Sequence, residues 1–196
     1  MLRQFTKQFK GNSYTLPDNW FYAIPHEPFA ERPVRYLEVG AYCGIHLMCV
    51  ARTYGSHPES ELHAIDPWID YPEYPEYKGQ QETIFDCYQH NVALFPEVAQ
   101  KIQTHRGFSH TEIPKFPDEY FDMIYIDGNH QPEAVLEDAV LAFRKVKIGG
   151  YLLFDDYLFG GFDTTKRGID GFLLGYRDRL HYVGYDQNQM FLRRKS

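Results

Sequence analysis

The sequence predicts an α/β protein built on a doubly wound, mostly parallel sheet of seven strands. Three observations carry this expectation. From residue 34 onward, short apolar runs alternate with segments of helical period, the pattern that builds parallel sheets with helices on both faces. One βαβ unit is complete in itself: Phe121 to Asp127, a helical stretch, then Gly149 to Asp156. The run Tyr151-Leu-Leu-Phe154 is apolar throughout, as in a strand covered on both faces.

Residues 1–33 read as an N-terminal extension, aromatic and punctuated by Pro25, Pro28 and Pro33. Its expected role is a cap, a lid or an oligomer contact, and the sequence does not choose among them. The domain proper runs over residues 34–196. Val34 to Val39 is a first buried strand, Gly40 to Gly44 a loop, and Ile45 to Tyr54 a helix. Glu61 to Asp66 is a second strand. Residues 67–79 hold Trp68, Tyr71, Tyr74, Tyr77 and three prolines, a loop suited to a lid or binding segment. A helix over Gln80 to Leu94 ends before Pro96, and Lys101 to Arg106 is a third strand leading into Gly107-Phe-Ser109. Phe121 to Asp127 is the fourth strand.

Pro132 suits a first helical turn. Val135, Leu136, Ala139, Val140, Ala142, Phe143 and Val146 give the helix after it an apolar face. Gly149 and Gly150 are expected to stop that helix, with the fifth strand at Tyr151 to Phe154. A helix over Thr164 to Arg179 and two closing strands, His181 to Tyr185 and Gln189 to Arg193, complete the chain.

Bulk properties narrow the function. A chain of 196 residues is long enough for one domain with a real core. A formal net charge of −7 argues against general binding to nucleic acid or anionic membranes. No run approaches a membrane span, and no signal-peptide pattern opens the chain. Three cysteines without metal-site spacing fit a reduced interior, so a cytoplasmic protein is expected. Sixteen tyrosines suit a substrate platform, a homo-oligomer surface or simply core.

Chemistry concentrates at strand ends, where doubly wound sheets bind ligands. Glu38-x-Gly40-x-x-x-Gly44 follows the first strand and opens a helix. Glycines let backbone approach a ligand, and a helix start offers free N–H groups to an anion. The dinucleotide fingerprint GxGxxG is absent, which disfavours a nicotinamide dehydrogenase. Asp66 ends the second strand, where a carboxylate can accept from a ribose diol, and Ser109 follows the third. Turn formation and capping are the plain alternative for each of these residues.

Asp127 ends one strand of the βαβ unit, and Asp155 and Asp156 end the other. Neighbouring strands lie about 4.8 Å apart. Three carboxylates so placed repel unless protons or a cation hold them, and a hard divalent cation answers that need.

Leu37-Glu-Val-Gly-Ala-Tyr-Cys-Gly44 and Ala64-Ile-Asp-Pro-Trp68 resemble the first and second motifs of class I S-adenosylmethionine (SAM)-dependent methyltransferases, a Rossmann-like fold. The resemblance covers residues 34–195. It implies SAM as cofactor, bordered by Glu38, Gly40, Tyr42, Gly44, Asp66, Ser109 and Asp127. The glycine loop would hold the methionine part, Asp66 the ribose, and Ser109 would lie near the adenine.

Asp127-Gly-Asn-His130, Val146-Lys-Ile-Gly-Gly150, Asp155-Asp-Tyr157 and Thr165-Lys-Arg-Gly-Ile-Asp-Gly-Phe172 are similar to the macrocin and mycinamicin sugar O-methyltransferases. That branch implies magnesium on Asp127, Asp155 and Asp156, with His130 as base. His46 stands where such enzymes carry a small hydroxyl residue, and those enzymes are longer, so their substrate does not carry over.

The chemistry is consistent from below. A sugar hydroxyl is a reluctant acid, and two adjacent hydroxyls on a cation become more acidic. A histidine can then accept the proton near neutral pH. The expected substrate is a small molecule or glycan with a vicinal diol. A catechol-type phenol, for which the cation alone suffices, and a non-catalytic SAM-fold binding module are the alternatives.

Overall fold

The computed structural model describes residues 8–11, 19–158, 163–186 and 188–196. The parts of the N-terminal extension at residues 1–7 and 12–18 lie outside the described residues. In chain order the elements are α1 (Trp20–Ala23), α2 (Glu27–Ala30), β1 (Arg35–Val39), α3 (Ile45–Arg52), β2 (Glu61–Asp66), α4 (Gln81–Ala93), α5 (Pro96–Ala99) and β3 (Ile102–Arg106). They continue with α6 (Ser109–Glu112), β4 (Phe121–Ile126), α7 (Pro132–Lys145), β5 (Val146–Phe154), α8 (Thr164–Tyr176), β6 (Leu180–Asp186) and β7 (Gln189–Arg194).

The seven strands form one sheet in the order β3-β2-β1-β4-β5-β7-β6. β1 to β5 run parallel to one another, and β7 is antiparallel to both β5 and β6. This is the doubly wound, mostly parallel Rossmann-like sheet the sequence predicts. The strand order reverses between β1 and β4, so the carboxyl ends of these two strands open the crevice where ligands bind in such sheets.

Alternation along each strand sorts its side chains between two cores. Tyr36, Met123, Tyr125 and Leu153 face one core together with α3, α4 and the N-terminal residues Trp20, Ile24 and Phe29. Leu37, Val39, Ile124, Ile126, Leu152 and Phe154 face the other, with α7 and α8. Val135, Ala139, Ala142 and Phe143 are buried as the helical period requires, while Leu136 is 37% exposed. The described residues 19–33 pack into the first core: Trp20 and Ile24 are wholly buried, and Tyr54 Oη donates to the Ile24 carbonyl at 3.0 Å.

One local expectation is corrected. Gly149 and Gly150 do not stop α7, which ends at Lys145; they lie inside β5. Val146 pairs with Phe121 and Tyr151 with Met123, so β5 carries extra residues against β4 at this point. The bulge folds onto β4 so closely that a Cβ on Gly150 would lie 2.8 Å from the Asp122 carbonyl oxygen, and Gly149 has φ +81°. Both glycines serve this fold-back, the usual role of glycine in a bulge. The last predicted helix also tightens early, passing from α-helix at Tyr176 to a 3₁₀ turn over Arg177–Arg179.

Candidate active site

Gly40 and Gly44 shape the loop after β1. Gly40 has φ +87°, and a Cβ there would lie 1.9 Å from the Asp127 carbonyl oxygen. Only glycine allows this approach between the ends of β1 and β4. Gly44, φ +73°, caps α3, and a Cβ there would lie 2.7 Å from the Tyr88 ring. Between them Tyr42 also takes a left-handed φ of +47°.

Asp66 at the end of β2 organises this loop. Its Oδ2 accepts from the Tyr42 N–H at 2.9 Å and its Oδ1 from the Trp68 N–H at 2.8 Å. Trp68 Nε1 donates back to the Tyr42 carbonyl at 3.0 Å. Burial pushes the Asp66 carboxyl up, and these backbone donors pull it down.

Glu38 points into the core. Its Oε2 accepts from Tyr36 Oη at 2.7 Å and pairs with His46 Nδ1 at 2.8 Å. Ser109 opens α6 and hydrogen-bonds the buried Asp138, whose carboxyl burial pushes up to about 6.

The aspartates meet as adjacent parallel strands require. Ile126 and Phe154 are in register, so Asp127 and Asp155 leave the sheet side by side. Asp156 follows with a left-handed φ of +55°. His130 Nε2 lies 3.2 Å from Asp156 Oδ2 and 3.9 Å from Asp127 Oδ1. One donor atom each from Asp127, His130 and Asp156 fall within 4.8 Å of one another. Asp155 lines the same cleft, but its oxygens are engaged from behind: Oδ2 accepts from Tyr125 Oη at 2.6 Å and Oδ1 from the Asp156 N–H at 2.9 Å.

Electrostatics mark this cluster as unfinished without a counter-charge. Burial, then the charges of Asp155 and Asp156, push the Asp127 carboxyl well above the usual range. Burial and Asp155 push Asp156 up to about 7. Burial pushes His130 down, with Asp155 opposing, which favours the uncharged ring. The donor set fits a hard divalent cation: carboxylate oxygens of Asp127 and Asp156 meet beside His130 Nε2, and the charge of Asp155 raises both carboxyls.

The aromatic loop after β2 covers this cluster. Tyr74 Oη accepts from the His130 N–H at 2.7 Å, and the two rings meet edge to face at 5.8 Å. Tyr71 packs edge-on to both Tyr74 and Phe108, beside Ser109. Sequence reasoning missed Tyr125 and Gln189 behind Asp155. The available signal was a tyrosine inside an otherwise apolar strand, whose buried hydroxyl must find a partner. A larger cleft of about 270 Å³, lined by Asp118, Phe143 and Arg194 among others, opens at the opposite end of β4 and contains none of these groups.

A family model of the methyltransferase domain matches residues 37–157, more than half of the chain. An uncharacterised protein of Acanthamoeba polyphaga mimivirus is 27% identical over 134 residues, covering 66% of this chain and 54% of its own length. The chain thus spans about half the length of that curated relative. Among solved structures, a proposed O-methyltransferase from Klebsiella pneumoniae superposes with a TM-score of 0.71 at 16% identity, covering 100% of this chain and 90% of its own. TomG of Streptomyces achromogenes, an O-methyltransferase involved in tomaymycin synthesis and solved with SAM, gives 0.64 at 16% identity, covering 99% and 95%. These two likenesses are of fold. With the domain match spanning β1 to the double aspartate, the chain belongs to the methyltransferase-domain family.

Proposed function

We propose that this chain is a SAM-dependent O-methyltransferase acting on a vicinal diol of a sugar or sugar-containing small molecule, with a divalent cation at the aspartate cluster. The observation that carries the reading is one of place. Asp127, Asp155, Asp156 and His130 gather at the carboxyl edge that also holds the glycine loop. A methyl donor in that loop and an acceptor on the cluster would then be neighbours. The solved relative TomG, an O-methyltransferase crystallised with SAM, supports the cofactor.

Each residue has a task under this reading. Gly40 lets the loop close on the Asp127 carbonyl and Gly44 lets α3 start against Tyr88; the loop so shaped takes the methionine part of the cofactor, and Asp66 holds it in shape while facing the ribose. Asp127, Asp155 and Asp156 hold magnesium or another hard cation. When bound, that cation lowers the pKa of a coordinated hydroxyl. His130, whose uncharged ring burial favours, accepts the hydroxyl proton at Nε2. Tyr71, Tyr74 and Phe108 wall the entrance and exclude water. Methyl transfer from a sulfonium needs in-line placement above all, and a rigid strand edge provides it.

The test is calorimetric titration of S-adenosylhomocysteine with and without magnesium, followed by methyl transfer to a panel of sugars and catechols. Cofactor binding together with cation-dependent transfer to a sugar supports the proposal. Transfer to catechols alone that survives His130→Gln would assign a phenolic acceptor. Binding without turnover on either class would leave a cofactor-binding module, and no nucleoside binding would sink the reading.

A further inference from the structure

Behind Asp155 runs a chain of buried hydrogen bonds that the proposed reaction does not use. Trp20 Nε1 donates to Gln189 Oε1 at 2.9 Å, and Asn19 Nδ2 donates to the same oxygen at 2.7 Å. Gln189 Nε2 donates to Tyr125 Oη at 2.9 Å. Tyr125 Oη donates to Asp155 Oδ2 at 2.6 Å. Trp20 and Gln189 are fully buried and Tyr125 is 1% exposed, so water does not substitute for any link.

The direction of this chain is forced. An indole N–H can only donate, so the Gln189 amide must turn its oxygen toward Trp20. Its NH₂ then faces Tyr125 and occupies a lone pair of the phenol oxygen. The only proton Tyr125 has left to give points at Asp155, which must accept it. The Tyr125 ring is also clamped, stacked on His46 at 4.3 Å and edge-on to Trp20 at 5.4 Å. Asp155 in turn accepts from the Asp156 N–H and so fixes the left-handed turn that aims the Asp156 carboxylate at His130.

We infer that Trp20, Gln189 and Tyr125 are positioning residues, a one-way hydrogen-bond relay that holds Asp155 as an acceptor and thereby sets the geometry of the aspartate cluster. The functional part of this inference rests on the proposed cation reading; the direction of the relay does not.

Gln189→Glu tests the direction at a pH where its carboxyl, followed by its side-chain 13C resonance, is ionised; protonated, it would donate to Tyr125 as the amide does. A carboxylate at 189 still accepts from Trp20 and Asn19, but it also offers Tyr125 an acceptor, so the phenol proton turns away from Asp155. Tyr125→Phe removes that proton outright. Magnesium affinity is measured by calorimetry on the full chain, and the slowly exchanging Tyr125 hydroxyl proton is followed by NMR, assigned by its loss in Tyr125→Phe. Thermal melting checks that each variant folds.

Loss of such an outer hydrogen bond to a ligand group costs about 10–100-fold in metal affinity, and this is the fall expected in both variants. For Gln189→Glu the sign is decisive, because its added negative charge alone would tighten cation binding. The hydroxyl resonance is expected to move in Gln189→Glu and in Asp155→Asn. Tighter or unchanged magnesium binding in Gln189→Glu would overturn the positioning role. A hydroxyl resonance indifferent to Asp155→Asn would overturn the relay itself. A wild-type protein that binds no divalent cation would remove the positioning role along with the cation reading, while the NMR result would still decide the direction.

Discussion

Without a cation, the aspartate cluster should make the fold lose stability as pH rises, and Asp156→Asn should reveal it. The Asp156 carboxyl is pushed from about 3.8 up to about 7 by burial and by Asp155, and its side chain is 20% exposed. For an acid raised in the folded state, the favourable contribution is complete below the unfolded value and is lost as pH climbs through the folded one. Integrated from pH 5 to pH 8, that loss is about 3 kcal/mol. In a protein of this size it corresponds to about 6–12 °C in Tm.

Histidines work in the opposite direction. His63 is pushed down to about 4, chiefly by burial and then by His105, and His105 and His130 are also lowered by burial. They destabilise the fold as pH falls below about 6.5, so a raw melting profile mixes both slopes. The difference between Asp156→Asn and wild type cancels the His63 and His105 slopes, since neither ring touches Asp156; His130, 3.2 Å from Asp156, is removed from the comparison by repeating it in a His130→Gln background. The assay is melting in chelator at pH 5 and pH 8. The variant should gain on wild type between these values, and saturating magnesium should reverse the order by stabilising wild type, by about 2.7 kcal/mol at a hundredfold excess over Kd. A difference that stays flat with pH in chelator would refute the account of the cluster as mutually repelling carboxylates.

Three further outcomes are expected. Gly40→Ala combines a left-handed φ costing about 1–2 kcal/mol with a 1.9 Å approach to the Asp127 carbonyl; it should lower Tm and weaken S-adenosylhomocysteine binding at least tenfold by titration. His130→Gln should lower kcat by about 10²–10⁴-fold while leaving magnesium affinity within a few-fold; a large loss of magnesium affinity would instead make His130 a ligand. Tyr74→Phe removes the acceptor of the His130 N–H, a bond contributing about 0.5–1.5 kcal/mol, so steady-state kinetics should show a few-fold rise in acceptor KM with little change in kcat.

Strands β1, β2 and β4 were legible because each is a short, mostly apolar run with an acid at or beside its carboxyl end, too short for a helix and bounded by turn residues. The meeting of Asp127 with Asp155 followed from the crossover rule alone. The Gly149–Gly150 fold-back was not legible, since two glycines after a helix equally announce a helix stop. What separates the readings is the Asp122 carbonyl opposite Gly150, a contact between strands. Trp20, Tyr125 and Gln189 were invisible for a related reason. Their roles depend on partners brought together by the sheet, and no local period encodes a hydrogen bond spanning 169 residues.

The reversed direction of β7 has a consequence for how the molecule assembles. Met190 pairs with Phe154, so this strand begins at the edge where its five parallel companions finish. Gln189 reaches the aspartates only once that late strand has docked, and Trp20 reaches Gln189 only across nearly the whole chain. Contacts of such long sequence separation form slowly. The geometry of the aspartate edge is therefore expected to be set late in folding, after the central strands have paired. In a hydrogen-exchange experiment, the Trp20 indole proton and the Asp156 amide should open together, as one cooperative unit, before the β1–β4 ladder does.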